Sequence, residues 1–471
     1  MMRRLLPLSL ALSLGACVAG PAPEIATPTP ELPQDFYFRA DGPTIGRVAG
    51  LLPNDDPAFA ALSTAALADA PSLAEALARV EAARAGAARA GAERLPNVGA
   101  DANVTGTRTN PNQFGGNSPF AQFIDTEQVS YGANLTARWD ADIFGRLKAQ
   151  ERAALARIDV ASASANAVRV ALLAEIAGSV IDWRTLAART EALRDDVEAA
   201  ERLAALAKTR EDAGIAPGFD RVRAEAAASQ SRSRLASLQS ERVRIVGRLV
   251  TLTGQSAADV TAALAQDAPE LRLGPAPTSL PSDLLANRPD IAAAASELAA
   301  TDAELAAAAR ARFPSLNLSA VLGLLAFNLG DLFDEDSIVG SLTAGVAAPL
   351  LDFGRIEAEI DGAAANKKAA FAAYRGAVFQ ALGDAEAAYG LIAAADKEAA
   401  LAVKERDELE RAARLADTRY RAGLSNFLTV LEARRAADAS GERAAAAIGR
   451  AERARVLLWQ ALGGTPVAPA A

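Results

Sequence analysis

The feature that most limits how this 471-residue chain folds is that it contains itself twice. Ala204–Arg223 (AALAKTREDAGIAPGFDRVR) matches Ala413–Glu432 (ARLADTRYRAGLSNFLTVLE) at an offset of 209 positions. Leu206/Leu415, Ala207/Ala416, Thr209/Thr418, Arg210/Arg419, Ala213/Ala422 and Gly214/Gly423 are identical at that offset. In each copy an alanine-rich run meets a glycine and a second helix-like run leaves. This predicts two helical hairpins with Gly214 and Gly423 as C-terminal caps, because glycine enters the left-handed conformation cheaply. A second match sets Pro71–Arg94 against Pro289–Arg312 at an offset of 218. The change of offset places nine extra residues between the two matches in the first copy, in a loop.

Composition narrows the class. Alanine is abundant, histidine is absent, and aromatic residues make up only 5% of the chain. Alanine favours helix and lets helices approach closely, so extended helical layers are expected rather than one compact interior. A net charge of −9, mixed along the helices, argues against a nucleic-acid partner. No nucleotide loop, metal cluster or nucleophile constellation is visible, and no histidine serves as general base, so an enzyme is the least favoured class and no cofactor or metal is expected.

The N-terminus reads as an export signal. Met1-Met2-Arg3-Arg4 is basic, Leu5–Leu14 is a short apolar run, and Leu14-Gly15-Ala16-Cys17 resembles a bacterial lipobox. Residues 1–16 are then a lipoprotein signal peptide, and Cys17, the lone cysteine, carries a covalent lipid. Val18 after it, rather than Asp, favours the outer membrane. Residues 17–57, rich in proline, read as an extended tether. A short helix over 56–68 follows, and Pro71 opens the next one.

Between the helices the apolar period changes to two. Val129, Tyr131, Ala133, Leu135, Ala137 and Trp139 alternate with polar residues, as do Val98, Ala100, Ala102 and Val104. Leu316, Leu318, Ala320, Leu322 and Leu324 form such a face in the second copy, and Ile338, Leu342, Ala344, Val346 and Ala348 form another. Strands are expected at about 96–107, 128–139, 314–324 and 338–348, of the length a tilted membrane strand needs. Phe120, Phe123, Phe327 and Phe333 lie near the turns and Trp139 at the other end, as in an aromatic girdle. Four strands cannot close a barrel, and an open edge cannot face lipid, so the barrel must be shared between chains. Two chains give about eight strands and a filled interior, three give about twelve and a lumen. Conduction therefore prefers a trimer.

Each strand pair ends in Phe-Gly-Arg, at Phe144-Gly145-Arg146 and Phe353-Gly354-Arg355. Long helices follow, with coiled-coil spacing at Ile176, Val180, Trp183 and Ala187 and at Phe371, Tyr374, Val378 and Leu382. Outgoing arms run over 219–252 and 427–462. The organisation is therefore repeat 1 at 58–254, an equatorial linker at 255–286, repeat 2 at 287–463 and a disordered tail at 464–471.

Taken together, the chain resembles the TolC-type outer-membrane efflux channels, in the lipid-anchored branch that serves tripartite pumps of the resistance–nodulation–division type. The residues carrying the resemblance are the lipobox at Cys17, Asn287-Arg288-Pro289-Asp290-Ile291, the two Phe-Gly-Arg exits, and Arg419-Tyr420-Arg421-Ala422-Gly423-Leu424 with Val430-Leu431-Glu432. The resemblance implies a mainly α chain with a membrane β-barrel portion. A homotrimer would make a twelve-stranded β-barrel, four strands per chain, continuous with a long α-helical barrel. It also implies a Gram-negative outer membrane, a periplasmic adaptor as partner, and an inner-membrane transporter contacted indirectly. In the family the lower end is closed by a polar lock, to which Asp220 and Tyr420 correspond, and by an acidic ring, to which Glu432 corresponds. Ser425 and Thr429 depart from that pattern, where an arginine and a second acidic residue can lie. Gly214, Gly423 and Leu424 match the tips that meet the adaptor. Passive conduction, gated at these tips, is the expected function. A non-conducting lipid-anchored coiled-coil scaffold, a type I secretion exit duct and a plain diffusion porin are the alternatives.

Overall fold

The computed structural model describes residues 23–39, 48–110, 127–215, 217–267, 276 and 281–464. The signal peptide, Cys17, Phe120, Phe123, residues 465–471 and part of the linker at 255–286 lie outside them. The chain divides into two compact units.

The first unit takes residues 81–159 and 295–372, with the start of the chain. Its centre is an antiparallel sheet of β1 (Asn97–Arg108), β2 (Glu127–Asp140), β3 (Ser315–Ala326) and β4 (Ile338–Ala347), in that spatial order. Register explains why the alternation matters. Val104 faces Tyr131, Leu135 faces Leu322 and Ala320 faces Leu342, so one side of the sheet is apolar across all four strands. On the other side Asp101 faces Asn134, Thr105 faces Ser130 and Ser319 faces Thr343. Among the described residues nothing covers the outer strands: β1 and β4 are exposed along their whole lengths. They are also the two sheet edges. Trp139 is anchored where β2 ends, its indole N–H donating to the Arg94 carbonyl at 2.9 Å.

The Phe-Gly-Arg exits are strand-to-helix turns. In the first, the Asp142 carboxylate accepts from the Leu147 and Lys148 N–H groups at 2.9 and 2.8 Å, capping α3 (Arg146–Asp212). In the second, Asp352 accepts from Gly354 and Ile356 at 3.2 and 2.9 Å and caps α8 (Arg355–Arg421). A helix N-terminus presents unpaired donors and a positive dipole end, so each carboxylate stabilises its turn. Before the sheet in the chain is α2 (Pro71–Ala92), which follows α1 (Pro57–Asp69). The repeat counterpart of α2 is α7 (Pro289–Arg310). Leu305 of α7 packs with Ile356, Ile360 and Ala364 of α8.

The second unit takes residues 29–80, 160–294 and 373–471. It holds the rest of α3 and α8, together with α4 (Gly218–Thr253) and α9 (Phe427–Ala461). The helices α3 and α8 have 67 residues each, about 100 Å at 1.5 Å per residue. Helix α3 lies between two partners: Arg189 donates to Glu241 of α4 at 3.0 Å and to Glu442 of α9 at 2.6 Å. The expected seam on α3 holds at Ile176, Val180 and Trp183 but passes to Leu186, leaving Ala187 exposed. Bridging two neighbours requires a stripe wider than one coiled-coil seam. On α8 the seam runs through Val378, Ala381, Ala385, Ala388 and Ile392; Phe371, Tyr374 and Leu382 sit half-buried beside it.

The linker includes α5 (Ala257–Leu264) and α6 (Asp283–Asn287). Asp56 caps α1 through the Ala58 N–H at 2.8 Å. It also accepts two hydrogen bonds from Arg184, whose third goes to the Leu264 carbonyl at 3.1 Å. Within the stretch read as a tether, residues 23–39 contain no helix or strand and Val48–Leu51 form a short 3₁₀ helix, but the segment is not free. Phe36 is buried against Tyr389, with ring centroids 5.2 Å apart, and the Tyr37 and Phe38 N–H groups donate to Glu386 at 2.8 and 3.1 Å. Backbone outside helix and sheet leaves its N–H groups without ladder partners, and one carboxylate takes two of them.

Candidate functional site at the helical hairpin tips

Each hairpin tip is a Schellman turn, and the two are built alike. After α3 the Ile215 N–H reaches back to the Arg210 carbonyl and the Gly214 N–H to that of Glu211, both at 2.8 Å. After α8 the Leu424 N–H reaches Arg419 at 2.8 Å and the Gly423 N–H reaches Tyr420 at 3.0 Å. Gly214 and Gly423 have φ of +70° and +74°, yet no atom lies within 4 Å of where a Cβ would stand. Backbone conformation, not space, requires glycine at both. Three apolar side chains stand out at the tips: Ile215 is 68%, Phe219 64% and Leu424 70% exposed.

Behind the tips all four helices meet in one cluster. Leu203 and Ala207 come from α3, Ala224 and Ala227 from α4, Ala416 and Tyr420 from α8, and Phe427, Val430 and Leu431 from α9. Tyr420 is its hub. Its ring is buried edge-on against Phe427 at 6.0 Å, and the Arg210 guanidinium lies 4.8 Å from the ring centroid. The structure brings no hydrogen bond between Tyr420 and Asp220 in one chain. Asp220 instead sits half-buried in the first turn of α4, where the helix dipole favours a carboxylate. Glu432 points to solvent next to buried Val430 and Leu431.

Of the two departures from the family pattern, one has a structural use. Thr429 belongs to the cap of α9: its N–H and hydroxyl both donate to Asn426 Oδ1 at 2.9 Å. Ser425 Oγ is buried without a hydrogen-bond partner.

Two further elements escape a reading of the sequence by motif. Arg221 ties the arms of the first hairpin, donating to Glu211 of α3 at 2.6 Å and to Glu225 of its own helix at 2.9 Å. Farther from the tip, Asp196 of α3 is buried beside Asp438 of α9. Burial and the hydrogen bond and charge of Asp196 push the Asp438 carboxyl up to about 8, against the pull of Arg434 and Arg234. The signal for Asp196 was its place at seam spacing between Leu193 and Ala200, where an apolar residue belongs.

The sequence model of the family described as "Outer membrane efflux protein" matches residues 62–255 and 280–464, all but the ends and the linker. The chain belongs to the outer membrane efflux protein family. This efflux protein is 31% identical to the pyoverdine export outer membrane protein OpmQ of Pseudomonas aeruginosa, over 98% of its own length and 97% of that chain. It is 28% identical to the solvent efflux pump outer membrane protein SrpC of Pseudomonas putida, covering 87% and 86% of the two. Its fold matches the outer membrane protein VceC of Vibrio cholerae with a TM-score of 0.78 at 27% identity, over 86% and 96% of the chains. The efflux protein is an outer-membrane channel component of a multi-component pump.

Proposed function

We propose that three copies form one passage across the outer membrane, closed at rest by the hairpin tips and opened when an adaptor docks there. Transport through it is passive, and an inner-membrane transporter supplies the energy through the adaptor. Support for a shared wall comes from the sheet: one face is apolar up to the Arg108–Glu127 pair at its end and both edges are unpaired, which lipid does not tolerate in a single chain. The exposed Ile215, Phe219 and Leu424 around Gly214 and Gly423 suit an adaptor. A lipid on Cys17 would add a membrane anchor to the barrel.

The observation that carries the gate is the cluster around Tyr420, which joins both hairpins. In this reading Tyr420 holds the closed state by packing rather than by donating to Asp220. Glu432 contributes one carboxylate per copy near the constriction, and Asp220 stabilises the start of α4. Removing a buried aromatic ring costs ~3–5 kcal/mol, so Tyr420→Ala should favour opening by ~100-fold or more. Tyr420→Phe keeps the ring and should conduct like the parent in planar bilayers. Equal conductance for Tyr420→Ala and the parent removes the tip cluster from the gate. A rise with Tyr420→Phe as large as with Tyr420→Ala would restore the hydroxyl as the lock.

A further inference from the structure

The internal duplication carries information about how one copy joins the next, given the shared wall proposed above. Within the chain the two hairpins have one common register. Asn97 faces Arg138 in the first and Ser315 faces Ala347 in the second. Strand β1 therefore maps onto β3 at an offset of 218, and β2 onto β4 at 209, the same two offsets as in the sequence repeats. The chain also contains one junction between repeats, β2 with β3, in which Asn134 faces Gly323 and Leu135 faces Leu322. This junction continues past the strands: the rings of Phe144 and Phe313 stack with centroids 4.8 Å apart and planes 11° from parallel. The equivalent junction, β4 with β1, is missing from the chain, because both strands are edges.

We infer that β4 of one copy pairs antiparallel with β1 of the neighbouring copy in the register carried over from β2 and β3. Moving each residue by its repeat offset sets Thr343 opposite Thr105, Ala344 opposite Val104 and Val346 opposite Ala102 of the neighbour. Side-chain chemistry, which played no part in that transfer, agrees with it. Leu342, Ala344 and Val346 meet Gly106, Val104 and Ala102, while Ser341 and Thr343 meet Thr107 and Thr105. A slip of one residue would set the apolar face of one strand against the polar face of the other. The ring stack carries over as well. Phe353, the counterpart of Phe144, falls against Leu95 of the neighbour, the counterpart of Phe313. Both are left open in the single chain, Phe353 at 92% and Leu95 at 66% exposure, whereas Phe144 already has its partner.

Cysteine pairs read the register directly. Thr105→Cys is combined in turn with Ser341→Cys, Thr343→Cys or Gly345→Cys, and oxidation is followed in membranes as a ladder of crosslinked copies. Opposed residues hold their Cβ atoms about 4.5–5.5 Å apart and diagonal ones somewhat less than about 7–8 Å, and a disulfide needs about 3.5–4.5 Å. The Thr343→Cys pair should therefore crosslink about tenfold faster than the two others. Leu95→Cys with Phe353→Cys supplies a second pair outside the strands. The parent, with Cys17, and the single substitutions give the background. If crosslinking is fastest at Ser341→Cys or Gly345→Cys, or absent in a protein that still sizes as a trimer in mild detergent, the register is wrong. A protein that sizes as a monomer and gives no ladder overturns the shared wall itself.

Discussion

Replacing Arg288 tests whether the Asn-Arg-Pro-Asp-Ile motif is a clamp. The residue is 8% exposed, and its guanidinium reaches three helices. Nε and Nη2 donate to the two oxygens of Asp290, at 3.0 and 2.6 Å, in the first turn of α7. Nη2 also donates to Asp384 of α8 at 3.0 Å, and Nη1 to the Ala461 carbonyl at 2.9 Å. That carbonyl is among the last four of α9, which have no partner within their own helix. The backbone just after α9 is packed directly on the motif, since a Cβ at Gly463 would collide with the Asn287 carbonyl and Arg288 Cα. Breaking one side of a buried ion pair costs ~3–5 kcal/mol. Here the side chains of Asp290 and Asp384 are 41% and 37% exposed and can rehydrate. This lowers the expected cost of Arg288→Ala to ~2–3 kcal/mol. Arg288→Lys keeps the charge but not the planar fork, and should lose ~1–2 kcal/mol.

Denaturant unfolding of the purified protein in detergent, followed by tryptophan fluorescence, measures these losses. Acid offers a second handle with a defined sign. Burial alone would raise the Asp290 carboxyl, but the Arg288 guanidinium outweighs it and holds the group below its ordinary value of 3.8. A depressed folded-state value means that the stabilisation is present above the unfolded pKa and is lost as pH falls through the folded one. The parent should therefore lose more stability than Arg288→Ala as the pH drops below about 4. If Arg288→Ala unfolds within about 0.5 kcal/mol of the parent, the motif is not a clamp.

The aspartate pair between α3 and α9 should behave in the opposite sense. With the Asp438 carboxyl raised to about 8, its stabilisation is full below the unfolded value of 3.8 and disappears as pH rises through the folded one. The thermal midpoint of the parent should fall between about pH 4 and 8, whereas Asp438→Asn, which keeps a donor for Asp196 and cannot titrate, should have a flatter profile. Equal slopes would mean that the pair does not share a proton. Farther along the same interface, a Cβ at Gly449 would lie 2.1 Å from Thr185 Oγ1 and 2.7 Å from Cγ2. Gly449→Ala should destabilise by ~1–3 kcal/mol despite the better helix propensity of alanine, and Thr185→Ala should recover most of the loss in a double-mutant cycle.

Much of this architecture was legible because two periodicities and one duplication leave little freedom. The alternation through Val129–Asp140 became β2, and the register with its neighbours put those apolar residues on one face. Gly214 and Gly423 were legible for a similar reason: a positive φ at a helix end has few candidate residues. Side-chain partners were not legible. Motif correspondence marks Tyr420 and Asp220 as lock positions, but it carries no sign that within one chain the Tyr420 ring turns inward to Phe427 and Arg210. Arg210 gave no sign in the sequence that its cation would lie over a ring. Ala187 missed the seam because spacing alone does not tell a helix with one neighbour from a helix with two.

The polar side of the sheet bears on what the passage selects. Asp101, Asn103, Thr105, Ser130, Asn134, Thr136, Ser319 and Thr343 line it with short hydroxyl, amide and carboxyl groups, and Asp101 is already engaged by Asn134 at 3.2 Å. Binding a particular small molecule takes a concave, mostly apolar site with a few convergent polar groups. Short polar side chains spread along the strands, with Val321, Leu325 and Val339 among them, instead present water with many weak partners. If three copies share the wall as proposed, such a lining gives a cargo no single point of recognition, and control is left to the tips.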